Sequence, residues 1–509
     1  METVVLIRPA SVSLIERCIP FPRFVAALFA ALVYCFVPQS IADPDIWWHL
    51  RNAERQVGSL SFIVKDAYSF TANGAPWMNH EWLAELPYYL GWRLLGPRGL
   101  YLVMLGAIEV ILLGVFYLAY SKSHRVWTAM RVSITAALLA TVSFDPRTLL
   151  FGWICLVAEL MILDRFSQDE RPVWALPLLF LVWVNTHGSW LIGMVLLAVF
   201  LVCGSFNVSV GAIENTAWSP AQRRKLIVSF CLSVAALFLN PYGWRLVFYP
   251  FNLAFRQKLN IANVEEWRTL DFHSPRGHLL LVCLALLFLF QLIRRRTWAP
   301  YELAFLFIGV YASFTYSRFL FLAAILVLPL MAKDVPWADE LRGGRSAASG
   351  TGRNRTGRNR PWLNAAILLV LLALLALRFP SQAKLTHSSQ ANFPEHALPY
   401  LSDFHPQGNV FNEYLWGGFL IWHTRQIPVF IDSRVDIFEY SGVFRDYLDA
   451  IRLKNTVAIL DKYSIRYVLF EKDTPLVYFL QHTTTWKVDY EDQTTILLER
   501  SPATSPAKQ

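Results

Sequence analysis

Charge is scarce in this chain. Asp, Glu, Lys and Arg make up 16% of its 509 residues, where a soluble protein carries roughly a quarter, and that excludes an ordinary soluble fold. Cysteine is scarce as well. The six cysteines, Cys18, Cys35, Cys155, Cys203, Cys231 and Cys283, lie in or beside apolar stretches without CxxC spacing, which excludes a disulfide framework and a cysteine zinc site. A cleavable signal is not expected, because the first apolar run, "FVAALFAALVYCFVPQS", leads into "DPD" rather than small residues. No folded basic region stands apart from the apolar stretches. The formal net charge of +9 therefore does not point to nucleic acid. Lys and Arg collect in short loops, where they set topology and meet anionic headgroups.

What is abundant is apolar sequence. The chain is 55% hydrophobic with a mean hydropathy of +0.37, and several stretches approach the ~20 residues that cross a bilayer. Spans are expected near 23–41, 99–120, 127–143, 148–163, 173–184, 189–205, 226–239, 277–293, 299–314, 318–332 and 362–379. The expected fold is thus mainly α, a polytopic membrane bundle of about eleven transmembrane helices followed by a small α/β domain. Arg8, Arg17 and Arg23 precede the first span, which puts the N-terminus in the cytoplasm. With eleven spans, "QRRK" (222–225), "RRR" (294–296) and the Gly/Ser/Arg-rich segment 333–361 fall on that same side. The last of these reads as a flexible cytoplasmic linker. Residues 1–332 form the main bundle with a first external loop at 42–97, and residues 380–509 form the α/β domain outside the cytoplasm. In that tail "GNVFN", "IPVFID" and "IRYVLFE" have strand-like composition, "GVFRDYLDAIRLKNTVAILDKY" has helical spacing, and "TTWKVDYEDQTTILLER" reads as a terminal strand pair.

The unusual polar residues all fall on the external face of this topology: "DPDIWWHL" and "WMNHEWLAE" in the first loop, then "FDPR", "NTHGSW", "NPYGWR", "VEEW" and "YSRF". A helix starting after Pro44 places Asp45, Trp48, His49 and Asn52 on one face. Asp43 and Asp45 then sit near its N-terminus, where the dipole favours the ionised carboxylate, a suitable base for an acceptor hydroxyl. The competing reading is a helix cap with an interfacial aromatic belt. His80 and Glu81 supply a second acid or ligand, or cap the helix that follows them. Asn185 and His187 contact a polar head group, or satisfy a broken helix end. Asn240, in "NPYG", joins this set. Arg147, Arg245 and Arg318, single cations at outer span edges, suit a phosphate or pyrophosphate, with snorkelling to headgroups as the alternative. Glu109 and Glu159 lie within spans and should face the bundle interior. Asp43, Asp45 and Glu81 could ligate one divalent metal or none. Asp432 and Arg434 in the tail bind acceptor or form a strand-end ion pair.

The run "DPDIWWHLRNAERQVGSLSFIVKDAYSFTANGAPWMNHEWLAE" resembles the opening of bacterial membrane glycosyltransferases of the GT-C superfamily. More narrowly it is similar to a bacterial group with the signature DPDxWWHL…G…D.YSFT..G.PW..HEWL.E. "NPYG", "VEEW" and "NVFNEYLWGGFLIW…PVFIDSRVDIF" follow in the expected order, covering residues 40 to 440. The resemblance implies transfer of a sugar from a polyprenyl-phosphate donor on the extracytoplasmic face of the bacterial inner membrane, with inversion and no certain cofactor. The acceptor, whether lipid, glycan or protein, is left open. It also implies an essential acid in the first external loop, here Asp45 or Asp43. Many members have Asp-Glu where this chain has Asp-Pro-Asp, so both stay candidates. Arg245 or Arg318 would hold the departing phosphate, and His49, His80 and Glu81 would complete the cleft. The alternatives are a transporter of lipid-linked glycans, or a membrane-anchored sensor or assembly protein.

Overall fold

The computed structural model describes residues 20–294, 296–333, 360–390 and 392–501; Arg8, Arg17 and nearly all of the basic linker lie outside them. The chain is mainly helical, with a small β-sheet near its C-terminus. Each of the eleven expected apolar segments is helical. By length and composition, however, three of the described helices are large enough to cross a membrane: Pro97–Ser123, Val126–Ser143 and Pro275–Ile293. Pro361–Leu377 with Gln382–Ser389, bent by 57°, makes a fourth if the pair is one span. Phe21–Phe36, Arg171–Val184, Trp190–Cys203 and Ser317–Met331 are apolar but shorter. Polar junctions and proline shorten them: Asn185–Ser189 separates two of these helices, and Pro38 closes the first.

The helix ends gather at opposite poles. At one pole Lys122 pairs with Asp164 (2.8 Å), Lys225 with Glu170 (2.6 Å), and the buried Glu302 with Arg296 (3.0 Å) and Lys333. At the other pole lie Asp43, Glu81, Arg147, His187, Glu266 and Arg318, joined by ion pairs described below. Between them the interior is closed by large side chains such as Phe29, Trp153, Phe180 and Trp183. Glu159 is fully buried in that interior, and neither of its carboxyl oxygens has a hydrogen-bond partner.

A two-stranded hairpin (β1 Val208–Val210, β2 Ile213–Asn215) lies in the loop after Trp190–Cys203. The C-terminal sheet comprises β3 Asn409–Asn412, β4 Ile465–Glu471, β5 Trp486–Glu491 and β6 Thr495–Arg500, in the order β3-β4-β6-β5. β3 runs parallel to β4 and the other pairs are antiparallel. "IPVFID" is not a strand of this sheet. Val429 instead exchanges backbone hydrogen bonds with the first loop, donating to Tyr68 O (3.2 Å) and accepting from Phe70 N (3.1 Å). The Asn412 side chain takes the place of a ladder neighbour, accepting from Phe430 N (2.7 Å) and donating to Ile431 O (2.8 Å).

The tail is therefore bound into the pole rather than hung from it. Its helix Gly417–His423 packs on the helix Asp45–Ser59; Gly418 permits that approach, and Gly417 permits the close passage of the tail's own Ile431. A Cβ on Gly417 would lie 2.2 Å from Ile431 O, and one on Gly418 would lie 2.6 Å from Pro44 O. Backbone oxygens cannot yield as a flexible side chain does. Gly418→Ala is expected to destabilise the protein by about 1–3 kcal/mol through overpacking. Gly58→Ala, where nothing lies within 4 Å of the added carbon, is expected to leave stability unchanged or raised. Thermal unfolding of the two purified variants in one detergent checks this; equal melting temperatures would refute it.

Candidate active site

Pro44 ends the chain's exit from Phe21–Phe36 and starts the helix Asp45–Ser59, with Asp45 in its first turn. Asp43 Oδ1 accepts the Asp45 N–H at 2.8 Å, which fixes the two acids relative to each other. The other Asp43 oxygen pairs with Arg147 Nε. Asp45 Oδ1 accepts from Trp48 Nε1 (3.2 Å) and from the Ser433 hydroxyl of the tail. The helix dipole favours an ionised Asp45 by at most ~2 kcal/mol. Burial, and then the neighbouring Asp43, act the other way, and although His49, Ser433 and Arg147 oppose them the carboxyl is pushed up to about 6. The expected effect of the dipole is thus outweighed.

His49 and Asn52, one turn further on the same face, both reach Glu85. His49 Nδ1 lies 2.8 Å from Glu85 Oε1, Asn52 Nδ2 donates to the same oxygen at 3.1 Å, and Asn79 Nδ2 donates to Oε2 at 2.7 Å. Glu81 occupies the cap position of the helix Trp82–Leu95, yet its side chain does not cap it. Instead it meets three imidazoles: His49 Nε2 at 3.4 Å, His80 Nε2 at 3.5 Å and His187 Nε2 at 3.2 Å. Burial raises the Glu81 pKa, but the groups around it, His80 first, more than reverse that, so it lies below its usual value. His187 Nδ1 accepts the Ser189 N–H at 3.0 Å, so a neutral ring must carry its proton on Nε2, facing Glu81. Burial brings the His187 pKa down to about 4, which keeps that ring neutral. His49 has a carboxylate at each nitrogen. Burial disfavours its charge, but Glu85 and Glu81 outweigh burial and raise its pKa.

Arg147 Nη1 pairs with Glu266, and Arg318 Nη1 lies 3.8 Å from the other oxygen of that carboxylate. Arg318 also stacks on Trp267, 4.4 Å from the ring centre. The tail adds Arg434, which holds Asp432 with two nitrogens (2.8 and 2.6 Å), reaches Asp66 (2.8 Å) and sits between Tyr68 and Trp77. It is a buried ion pair, and it locks the tail to the first loop. Asp436 Oδ2 accepts from Trp77 Nε1 and Tyr249 OH, both at 3.2 Å, and Tyr249 stacks against His80 at 4.4 Å.

Asp43, Asp45, His49, His80, Glu81, Arg147, His187 and Arg318 are thus brought together. Three expected site residues are not. Arg245 is exposed and makes no ion pair among the described residues. Asn240 closes its own turn, donating to Leu237 O (2.8 Å) and Gly243 O (3.0 Å) and accepting from Tyr242 N (2.8 Å). Asn185 uses both ends of its amide, accepting from Trp82 Nε1 (2.9 Å) and donating to Leu181 O (2.8 Å) and Leu239 O (3.2 Å). Glu85, Asn79, Glu266, Ser433 and Asp436 were not identified from sequence. All five lie inside the motifs "WMNHEWLAE", "VEEW" and "PVFIDSRVDIF", and for Glu85 there is also its spacing of four residues from Glu81. Among the described residues no three His, Cys, Asp or Glu side chains converge on one ion position. Asp43 and Glu81 are instead committed to Arg147 and to the imidazoles.

The sequence matches no known protein family and no curated protein. Its fold does have counterparts. The oligosaccharyltransferase of Archaeoglobus fulgidus in its apo form superposes with a TM-score of 0.54 at 12% identity, over 96% of this chain and 75% of that one. The archaeal oligosaccharyltransferase AglB from the same organism, in complex with an inhibitory peptide and a dolichol-phosphate, gives 0.51 at 11% identity, over 90% and 70%. ArnT from Cupriavidus metallidurans bound to undecaprenyl phosphate gives 0.48 at 14% identity, over 95% and 98%. At such identities the likeness is one of fold, and the fold of this chain resembles that of the archaeal oligosaccharyltransferase.

Proposed function

We propose that this chain is an inverting membrane glycosyltransferase. It takes a sugar from a polyprenyl-phosphate donor and transfers it to an acceptor hydroxyl on the extracytoplasmic face. The observation that carries the reading is the gathering of Asp45, Glu81, Arg147 and Arg318 at one pole of an apolar bundle, opposite the pole that holds Lys122, Lys225 and Arg296. The structural counterpart solved with a dolichol-phosphate supports a lipid-phosphate ligand for this fold.

In this reading Asp45 takes the proton from the acceptor hydroxyl. The oxygen attacks the anomeric carbon on the face opposite the phosphate, and the carbon–oxygen bond to phosphate breaks with its electron pair leaving on the phosphate oxygen. Arg318 and Arg147 receive that charge, a task for which guanidinium forks are suited. Glu81, held ionised by its histidines, keeps His49 oriented behind Asp45. Asp43 neutralises Arg147 on the inner side and positions the Asp45 backbone. The first loop, whose Trp47 and Trp48 are buried against the tail, holds the acids at the pole that a lipid-borne donor would approach.

Asp45→Asn is expected to lower the rate of sugar transfer by about 10²–10⁴-fold, the usual range for a lost general base, while Asp43→Asn lowers it less. Transfer from a panel of polyprenyl-phosphate sugars measures this, and wild-type turnover in both variants would overturn the reading. The pH profile offers a second check. Since the Asp45 pKa is about 6, kcat/KM should fall as pH drops through that value. Ser433 donates to the ionised form and lowers the pKa. Ser433→Ala should therefore move the acid limb to higher pH, and an unmoved limb would count against Asp45 as its source.

A further inference from the structure

Glu266 stands between the two arginines assigned to the leaving phosphate. One of its oxygens pairs with Arg147 Nη1 and the other lies 3.8 Å from Arg318 Nη1. The three side chains retain 31%, 24% and 20% of their exposure for Glu266, Arg147 and Arg318 respectively, so the contact faces the outside rather than a sealed core. Two guanidinium groups closing on two carboxylate oxygens is also how they would close on two phosphate oxygens.

We propose that the Arg147–Arg318 clamp is a phosphate seat, and that Glu266 occupies it until a phosphate-bearing ligand displaces its carboxylate. The inference rests on the functional reading above and adds a regulated vacancy to it. Charge makes displacement the consistent outcome. Asp43 and Glu266 balance Arg147 and Arg318 as the protein stands. A phosphate anion added to that set leaves it negative beside Asp45, whereas exchange of Glu266 keeps it neutral for a phosphodiester and limits the excess to about one charge for a monoester. The exchange needs only a side-chain rotation, because the Glu266 segment is fastened at its backbone and at Trp267. Ser317 N donates to Arg268 O at 2.9 Å, Leu270 N donates to Phe314 O at 3.3 Å, and Trp267 meets Tyr316 edge-on at 5.2 Å. Glu265, its neighbour, is exposed. The ligand class is a phosphate group, carried by a lipid or free in solution.

An internal competitor lowers apparent affinity by the fraction of time it holds the site. Glu266→Ala and Glu266→Gln should therefore bind a short-chain isoprenyl monophosphate at least about fivefold more tightly than the wild type. Arg318→Ala should bind it more weakly, and the gain from Glu266→Ala should vanish in the Glu266→Ala/Arg318→Ala double variant. Calorimetric titration of the full chain in detergent reads these affinities, with inorganic phosphate as the second arm and unfolding temperature as the check on folding. Unchanged or weaker binding in both Glu266 variants overturns the inference, as does a gain that survives loss of Arg318. If that happens while the wild type transfers sugar, the functional reading stands and the displacement falls alone. Tighter binding of isoprenyl phosphate in a chain that transfers no sugar leaves the seat standing and removes the enzyme. A gain for inorganic phosphate alone supports the seat and assigns it to a free phosphate.

Discussion

Asp43 and Asp45 are separated by one proline, and the Asp45 backbone N–H donates to the Asp43 carboxylate, so two acids share one buried setting. Each disfavours ionisation of the other, on top of the cost of desolvating both. Such a pair survives only if its members are treated differently. Arg147 neutralises Asp43 directly, and Asp45 receives neutral donors, Trp48 and Ser433. The result is one acid locked in an ion pair and one left near neutrality, ready to exchange a proton. Much of the surrounding structure supplies these partners: the 144–147 turn delivers Arg147, and the tail delivers Ser433.

The dependence on the tail explains why residues nearly four hundred positions away are built so tightly into the first loop. Ser433 must lie within hydrogen-bond reach of Asp45, and the segment that carries it has no strand partner in its own sheet. Val429 borrows the backbone of Tyr68 and Phe70, Arg434 is buried between Tyr68 and Trp77, and Gly418 lets the tail touch the Pro44 backbone. A buried arginine with two carboxylate partners is a costly anchor if any partner is removed. It is also a specific one, since no other register of the tail places Arg434 against both Asp432 and Asp66.

Sequence reading reached the parts governed by local pattern. The helices follow from apolar runs, and the face of Asp45, Trp48, His49 and Asn52 follows from helical spacing after a proline. It was less accurate wherever long-range pairing decides. "IPVFID" has the composition of a strand, but its partner is the first loop, a contact that no local pattern encodes. Asn185, Asn240 and Arg245 are the same residue types as ones that do join the cluster. Asn185 and Asn240 spend their amides on nearby carbonyls and Arg245 faces outward, a distinction made only by the folded backbone. Glu85 escaped notice because a buried carboxylate is indistinguishable in sequence from a solvated one until His49, Asn52 and Asn79 converge on it. The count of membrane crossings suffered for a related reason. Hydropathy finds apolar helices, but proline and polar junctions leave several of them shorter than a bilayer.

The two poles differ in how they compensate buried charge. At the pole of Lys122 and Glu302, three cations surround one deeply buried carboxylate, an arrangement that holds helix ends together. At the pole of Asp45, acids outnumber the arginines that face them, and histidines make up the difference. Imidazole is the only ordinary side chain that can change charge near neutral pH without a large shift. Here the shifts run in opposite directions: His187 is held neutral and His49 is favoured as the cation. Glu81 thus meets His80, a His187 whose proton faces it and a His49 whose charge is favoured, and its pKa is held down while that of Asp45 is raised. Asp45 and His49 bias each other's charge, and Asp45 acts on Arg147 as well, so a proton gained at Asp45 is felt across the cluster rather than hidden from it.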